Sequence, residues 1–368
     1  MLKKLVVTAT RLRHVIVIVV AWIAFAGVTG VPVDAGRSGI GDARSGYAAG
    51  QIPQGSVWVV NRDRGELTVF DARTGAVLAT QPVGAGAHDI CISEHAGKAY
   101  ISAETINAVT AVDIRTLETE SIPVAPLPHH VEPSPDGRTI YVSLASHTAT
   151  VGTPALAAID TSDHRVSYTP TSMNPAARSH GPFVSHDGAT VYVAHDLGDE
   201  VTGISTQTGS IDFSVPGILR AEEAVATRTG GELWVSSRGD GTVKRIDLAT
   251  QRITASIPVG VQPESVMLTP SEHTLVVSLR GTPAMLAFVD TRDLTLLGVV
   301  PIGEAGTFGD LAVMTDDGRY VFATFDAGVG GIGGVAVVDV TAREVVSTWA
   351  YPATGRPHGV WFSRRQLR

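Results

Sequence analysis

A six-residue pattern that begins with a chemically active side chain recurs seven times in this sequence. Each copy starts with His, Glu or Asp, continues with mostly apolar residues, and reaches Ser or Thr five positions later. The copies run from His88 to Ser93, His129 to Ser134, His180 to Ser185, Glu222 to Thr227, Glu264 to Thr269, Asp310 to Thr315 and His358 to Ser363. Four first positions are histidines and three are carboxylic acids, and both types can bind metals or move protons.

These first positions could support metal chemistry if they meet in space. Neutral imidazoles bind borderline and soft cations such as copper, zinc or iron, whereas carboxylates act as hard ligands or general bases. A nitrogen-dominated site favours copper among the first-row divalent ions. Clustered carboxylates repel one another unless a cation or shared protons are present. We therefore expect a divalent metal ion as cofactor, with copper favoured.

A second recurring segment indicates which elements position these side chains. It is a short apolar run, and the second residues of its copies are Trp58, Tyr100, Tyr141, Tyr192, Trp234, Val276 and Val321. Their spacings are 42, 41, 51, 42, 42 and 45 residues. After most runs comes a strand-like segment that closes on Asp, then a Thr-rich turn and a fourth apolar segment. Four short strands per unit of about 40–50 residues predict a β-propeller blade.

The two ends of the repeat array predict how the ring of blades closes. The pattern begins at a second strand near Val57 and ends just after an innermost strand that starts at His358. The last strand would complete the first blade and remove an exposed edge. We predict an all-β, seven-bladed β-propeller over residues 55–368, closed by the C-terminal strand. The seven first positions should then meet at the mouth of the central channel, with the histidines on one side and the carboxylates on the other.

The strand sequences resemble the YVTN family of β-propellers. The similarity lies in the hydrophobic-Tyr-Val-Ser motif, in the Ser-Pro-Asp-Gly turn from Ser134 to Gly137, and in the strands that end in Ile-Asp. It covers residues 55–368. It implies the fold but no single function, because the family includes surface-layer modules, binding proteins and enzymes.

The histidines on the axis also resemble those of copper enzymes on seven-bladed propellers, of the nitrous oxide reductase and thiocyanate dehydrogenase type. This resemblance implies that His88, His129, His180 and His358 are metal ligands. It implies a role as base or further ligand for one of the three acids, Glu222, Glu264 and Asp310. The sequence departs from nitrous oxide reductase in having four ring histidines instead of seven and no copper electron-transfer domain. An electron acceptor would therefore be an external protein.

Charged residues between the second and third strands should surround the same mouth. Arg238 and Arg280 follow the strands next to Glu222 and Glu264, so they could neutralise these carboxylates. Alternatively, arginines at the mouth could bind an anionic small-molecule substrate, because the guanidinium group suits anions. The candidates for substrate binding are Arg62, Arg238, Arg280 and His195.

His130 directly follows His129. Side chains alternate along a strand, so we expect His130 to point into a blade interface instead of the channel.

The N-terminus predicts export. Basic residues precede an apolar run from Val15 to Phe25, and Ala24-Phe-Ala26 offers a cleavage signature. We predict a signal peptide over residues 1–26, a flexible linker over 27–54 and a periplasmic or secreted protein. An uncleaved segment would instead anchor the chain to a membrane.

Composition excludes several classes of function. The formal net charge is −8, which makes nucleic acid a poor partner. Cys91 is the single cysteine. The chain therefore has no two-cysteine copper electron-transfer site, no c-type haem attachment motif and no cysteine zinc site.

Three functions remain open at this stage. The first is a metal-dependent oxidoreductase acting on a small molecule at the channel mouth. The second is a divalent-metal lyase or lactonase resembling streptogramin lyase, in which a histidine acts as base. The third is a YVTN-like periplasmic binding protein without catalytic activity.

Overall fold

The computed structural model describes residues 52–145, 155–328 and 330–367, and the structural statements below concern these residues. The predicted signal peptide 1–26 and the predicted linker up to residue 51 lie outside them.

Seven antiparallel sheets of four strands each build this part of the chain, which confirms the seven-bladed all-β propeller. The innermost strands are β4 (Ala87–Ser93), β8 (Pro128–Pro133), β12 (Arg178–Val184), β16 (Ala221–Ala226), β20 (Pro263–Leu268), β24 (Phe308–Met314) and β28 (Pro357–Ser363). The second strands are β1 (Ser56–Asn61), β5 (Lys98–Ala103), β9 (Thr139–Leu144), β13 (Thr190–Leu197), β17 (Glu232–Ser237), β21 (Thr274–Leu279) and β25 (Tyr320–Asp326).

The two remaining positions in each blade complete the sheets. The third strands are β2 (Glu66–Asp71), β6 (Ala108–Asp113), β10 (Ala155–Asp160), β14 (Glu200–Ser205), β18 (Thr242–Asp247), β22 (Met285–Asp290) and β26 (Gly334–Asp339). The outer strands are β3 (Val77–Pro82), β7 (Thr119–Pro123), β11 (Val166–Pro170), β15 (Ile211–Pro216), β19 (Arg252–Pro258), β23 (Thr295–Pro301) and β27 (Glu344–Ala350).

Helix is scarce in the described part of the chain. A short 3₁₀ helix spans Glu104–Ile106 in the loop between β5 and β6. No helix among the described residues has both the length and the apolar character needed to cross a membrane.

The apolar core lies between neighbouring blades. Alternate residues of β1 enter different clusters: Val57 packs in the cluster that contains Phe322 of one neighbouring blade, and Trp58 in the cluster that contains Ile101 of the other. Ile52, just before β1, is also buried in the first of these clusters. Each sheet is therefore covered on both faces, which favours strands rich in apolar residues.

The two ends of the repeat array meet in one sheet, as predicted. β28 pairs antiparallel with β1, with Ser363 opposite Ser56 and Trp361 opposite Trp58. The innermost strands contact one another in chain order, and β28 contacts both β24 and β4. The C-terminal strand therefore closes the ring.

Every innermost strand carries a break in register near its start. The pairing of β4 with β5 skips from Ala87 to Ile90, and that of β8 with β9 skips from Pro128 to Val131. Corresponding breaks occur in β12, β16, β20, β24 and β28. Such an irregularity interrupts the alternation of side chains, so two consecutive residues can face the same side.

A serine of the second strand satisfies the amide that this break leaves unpaired. The amide of Asp89 donates to Ser102 Oγ at 3.1 Å, and the amide of His130 donates to Ser143 Oγ at 3.0 Å. The amides of Glu223 and Ser265 are bound in the same way by Ser236 and Ser278. Because these are the serines of the hydrophobic-Tyr-Val-Ser motif, that motif stabilises the innermost strand at the channel.

Candidate metal centre

The first positions of the seven repeats gather around the propeller axis. Each is the second or third residue of an innermost strand, and six of the seven are buried. His129 is the exception and keeps 14% side-chain exposure. Their order around the axis follows the order of the innermost strands, so the histidines and the carboxylates occupy separate halves of the ring.

The histidine half is tightly packed. The ring centroids of His88 and His129 are 3.9 Å apart, and those of His88 and His358 are 4.0 Å apart. His129 lies 4.6 Å from His180 by the same measure. Four imidazoles from adjacent blades thus form one continuous cluster.

Three of these imidazoles are held neutral and retain free nitrogens. Burial lowers the pKa of His88 and of His129 well below the usual value, and neighbouring histidines lower both further. Burial also lowers the pKa of His358, with a further contribution from Arg280. Among the described residues, His88 Nδ1, His129 Nδ1 and both nitrogens of His358 make no hydrogen bond. Buried nitrogens without hydrogen-bond partners destabilise the folded protein unless a bound ligand supplies the missing interaction.

His180 differs from the other three. Its Nδ1 is 2.9 Å from the carbonyl oxygen of Glu222, and its Nε2 is 2.8 Å from the Glu222 carboxylate. Burial opposes a charge on His180, but the Glu222 carboxylate outweighs it and raises the pKa of His180 to about 9. At neutral pH His180 is therefore an imidazolium paired with Glu222, which links the two halves of the ring.

Two arginines lie against the three carboxylates of the other half. Arg238 Nη1 is 3.0 Å from Glu222 and 3.4 Å from Glu264. Arg280 Nη1 is 3.9 Å from Glu264 and 3.5 Å from Asp310. Both arginines thus reduce the repulsion among buried carboxylates.

Asp310 is the least satisfied carboxylate of this half. Its Oδ1 lies 3.2 Å from His358 Nε2, yet neither oxygen makes a hydrogen bond among the described residues. Burial raises the pKa of Asp310 to about 7, although Arg280 opposes this shift.

Glu104 adds a carboxylate that stands over the histidine half. Its Oε1 is 3.8 Å from His88 Nε2 and 3.6 Å from His129 Nε2. Arg62 holds the other oxygen at 2.5 Å. Glu104 lies between a second and a third strand, where charged residues were predicted to surround the mouth, but only the folded loop shows which imidazoles it reaches.

His130 also reaches the channel, so the prediction that it points into a blade interface is wrong. The break in β8 turns it towards the axis directly below His129, at 4.6 Å between ring centroids. Its Nδ1 lies 3.2 Å from Asp89, and its Nε2 has no hydrogen-bond partner among the described residues. A carboxylate on one imidazole nitrogen and a free second nitrogen is a common arrangement for a metal-binding histidine.

His130, Asp89 and Glu223 form a second layer of side chains below the ring, and a glycine makes room for it. A Cβ on Gly181 would come within 2.8 Å of the side chain of Glu223. Because Gly181 leaves this space, Glu223 approaches His130 Nδ1 to 3.8 Å from a non-adjacent blade. The recurrent Ser of the second strand binds the backbone amide of Asp89 or His130, where the register breaks. It was therefore the sequence signal that could have indicated this layer.

A cavity of about 300 Å³ lies above the ring, and we call it the mouth cavity. It is lined by His88, His129 and His180, by the acids Glu104, Asp196 and Glu264, by the arginines Arg62, Arg178, Arg220, Arg238 and Arg280, and by Leu127 and Ala145. Three of these arginines were predicted to bind substrate. The structure adds Arg178, which is paired with Asp196, and Arg220, whose side chain is 51% exposed.

His195 does not line the mouth cavity. Its side chain is fully buried, and its Nε2 lies 3.1 Å from Thr202 Oγ1 within the same blade. Burial lowers its pKa to about 4. The next residue, Asp196, faces the cavity instead, because side chains alternate along β13.

A second cavity, of about 310 Å³, lies below the ring, and we call it the lower cavity. Its polar wall contains Asp89, His130, Glu132 and Glu223, while much of the remaining wall is apolar. Burial raises the pKa of Glu223 to about 7, partly offset by His130. Burial and the nearby acids also raise the pKa of Glu132.

Two groups of side chains, one of which includes His130 below the ring, have the spacing of metal sites. One ligand atom from each of His88, His129 and His130 lies within 4.8 Å of the others, and the same holds for His180, Glu222 and Glu264. All three residues of the first group offer nitrogen, and burial keeps His88 and His129 neutral. Burial also opposes a charge on His130, but the Asp89 carboxylate outweighs it and raises the pKa of His130. The second group already contains a charged pair together with Arg238, so the first is the better candidate for a resident metal.

Comparisons with known proteins support the fold and leave the family unassigned. No family model matches this sequence, and no curated protein matches it as a relative. Solved structures do share the architecture. Hydrazine synthase from Kuenenia stuttgartiensis is 17% identical with a TM-score of 0.63, covering 85% of this chain and 100% of that chain.

Two further structures are similar at comparable levels. The dihydro-heme d1 dehydrogenase NirN in complex with DHE is 16% identical with a TM-score of 0.58, covering 87% of this chain and 77% of that chain. A candidate 6-phosphogluconolactonase from Bacteroides uniformis is 15% identical with a TM-score of 0.65, covering 84% of this chain and 100% of that chain. At these identities the likeness concerns the fold alone.

Proposed function

We propose that this protein is a metal-dependent enzyme, with copper the favoured metal, that acts as an oxidoreductase on a small anionic molecule at the mouth cavity. The observation that carries the proposal is the cluster of His88, His129 and His130, which are close together and carry ring nitrogens without hydrogen-bond partners.

The donor set fits a borderline or soft cation. Three imidazole nitrogens suit copper or zinc, and His358 and Glu104 stand close enough to add a donor after a small movement. Asp89 would fix the orientation of His130. Bound copper would supply one-electron chemistry at this position.

The chain itself would bind and orient the substrate. Arg62 and Arg220 lie in the mouth cavity with part of their surface exposed, and a guanidinium group forms charge-assisted hydrogen bonds with anions. Glu104 stands between this cavity and the imidazoles, so it is placed to hold or accept a proton from a molecule bound there. Glu222, Glu264 and Asp310 remain alternative bases in the other half of the ring.

Metal analysis of the purified protein tests the proposal. Metal-free protein is incubated with copper or zinc, separated from free ions, and assayed for bound metal. We expect stoichiometric binding by the wild type and at least about tenfold weaker binding by His129→Ala. The control is His186→Ala, which removes an exposed histidine away from the ring. Absence of stoichiometric metal in the wild type would exclude the proposed centre.

A divalent-metal lyase or lactonase is a second candidate function. The group of His180, Glu222 and Glu264 favours it, because mixed nitrogen and oxygen donors suit harder ions. The candidate 6-phosphogluconolactonases among the structural neighbours show that such a role has been considered for this fold. Turnover of a lactone with magnesium, and without a redox-active metal, would favour this function over the first.

The remaining proposals concern the location of the protein and its electron acceptor. We propose that the protein is exported and passes electrons to an external electron-transfer protein. If neither metal binding nor turnover were found, while an anion bound tightly to the mouth cavity, a non-catalytic binding protein would be the better description.

A further inference from the structure

The two cavities lie on opposite sides of the histidine cluster, and their ionisable side chains differ in type. The mouth cavity has five arginines against three carboxylates. The lower cavity has the three carboxylates of Asp89, Glu132 and Glu223, and neither Lys nor Arg is among its lining residues. The arginines therefore disfavour a cation at the mouth, whereas the lower cavity offers it acidic side chains without a neighbouring Lys or Arg.

The lower cavity extends along the innermost strands. It begins at residues that directly follow ring positions, such as Asp89 and Glu223, and includes Leu268 and Met314, the last residues of β20 and β24. Glu132 lies between these levels on β8 and is half-buried. The carboxylates are thus distributed along the approach to the ring.

His130 connects this cavity with the proposed metal centre. It lines the lower cavity, is only 4% exposed, and has an Nε2 without a hydrogen-bond partner among the described residues. An ion moving up the cavity would therefore meet a free imidazole nitrogen before it reached His88 and His129. This buried donor distinguishes the cavity from a surface cluster of acids.

The three carboxylates do not form a tight resident site of their own. They are absent from the groups of described residues whose ligand atoms lie within 4.8 Å of one another. Widely spaced carboxylates attract cations but hold them weakly. Such an arrangement suits a cation that passes through the cavity better than one that stays bound there.

The apolar wall contains two soft donors. Met267 and Met314 both line the lower cavity and are half-buried. Thioether sulfur binds soft cations such as Cu(I), and it does not bind hard ions well. The cavity therefore combines weak attraction for any cation with a preference for soft ones.

We propose that the lower cavity is the route by which the metal cation reaches the histidine ring, whereas anionic substrate uses the mouth cavity. This inference rests on the proposed metal centre. The physical reason is that the arginines repel a cation at the mouth, whereas the lower cavity offers it oxygen, nitrogen and sulfur donors.

Kinetics of metal loading test this route. Metal-free protein is mixed with Cu²⁺ at low ionic strength in a stopped-flow instrument, and bound metal is followed by absorbance. We expect Glu132→Gln to load about three- to tenfold more slowly, with the same final stoichiometry, because an amide cannot replace a carboxylate as a ligand. Met314→Leu should also slow the loading of Cu(I).

The matched control is Glu304→Gln, which makes the same substitution at an exposed residue on the mouth side. It should load at the wild-type rate or slightly faster. Equal rates for Glu132→Gln and the wild type, or slower loading for Glu304→Gln alone, would overturn the proposed route.

A fluorescence measurement separates failure of the route from failure of the metal centre. Trp361 lines the lower cavity, and Cu²⁺ quenches nearby indoles. In a His88→Ala/His129→Ala variant, Cu²⁺ should still quench the fluorescence that Trp361→Phe removes, and Glu132→Gln should weaken that quenching. Stoichiometric metal in the wild type without such quenching would refute the route only. Quenching without stoichiometric metal would show that the histidine cluster holds no resident metal. The proposed metal centre would then be wrong, and the route would have no binding site at its end.

Discussion

The two halves of the axial ring are built from the same strand position but differ in how their charges are satisfied. In the acidic half, Arg238 and Arg280 bridge the carboxylates, and His180 pairs with Glu222. In the histidine half, His88 and His129 are neutral and have nitrogens without hydrogen-bond partners. Loss of an arginine would leave buried carboxylates without a compensating charge, whereas the imidazole nitrogens cost free energy until a ligand binds.

This comparison predicts that the acidic half matters most for stability. Arg238→Gln removes the guanidinium between Glu222 and Glu264, which are 0% and 2% exposed. We expect the free energy of unfolding to fall by about 3–5 kcal/mol, because buried carboxylates lose their partner. Urea unfolding of the metal-free protein measures this. Arg220→Gln is the control, since Arg220 is half-exposed and 4.0 Å from Glu222, and it should cost less than about 1 kcal/mol.

The histidine half should matter for stability only when metal is present. Copper at about 100 times its dissociation constant should add about 2.7 kcal/mol to the free energy of unfolding of the wild type. His88→Ala should abolish this gain and leave the metal-free protein close to wild type. Thermal unfolding with and without copper provides the measurement. A large loss of stability in metal-free His88→Ala would show that this half is structural too.

The second layer offers a pH-dependent test. The pKa of Glu223 rises from 4.5 to about 7 on folding, chiefly through burial. Folding therefore favours the protonated acid, and the contribution of Glu223 to stability is lost as the pH rises from about 4.5 through 7. Because Gln stays neutral, Glu223→Gln should become more stable relative to the wild type as the pH rises through this window. Above it, the difference in the free energy of unfolding should stay constant. Unfolding of metal-free protein at pH 4.5, 6 and 7.5 tests the sign. Glu304→Gln should show no such trend.

The smallest effect is expected at the rim of the mouth cavity. Arg220 is half-exposed, so Arg220→Gln should weaken binding of a small anion only a few-fold, and less at high salt. Titration with a small inorganic anion such as sulfate at two ionic strengths measures this. Arg228→Gln, an exposed arginine at the far end of its innermost strand, should leave anion affinity unchanged.

Several residues show why the sequence predicted the ring but missed the second layer. The positions of His88 and Glu222 could be read because repeated strands and turns place them at equivalent points in every blade. His130 was misplaced because strict alternation was assumed for β8, and the break in register lies in the pairing with β9. Glu104 was seen only as a loop residue. Its distance to His129 depends on how far the 3₁₀ turn of one blade reaches towards the next blade.

The sequence by itself determined the seven blades, the closing strand and the division of the ring into histidines and carboxylates. These features follow from local patterns that repeat along the chain: apolar alternation, turn residues and the identity of one polar position. Only the tertiary structure decided which nitrogens stay free and which acids pair with arginines. It also decided that two cavities with different linings lie on opposite sides of the histidine cluster. Those outcomes depend on distances between side chains of different blades, and burial sets their charges in a way that no single repeat encodes.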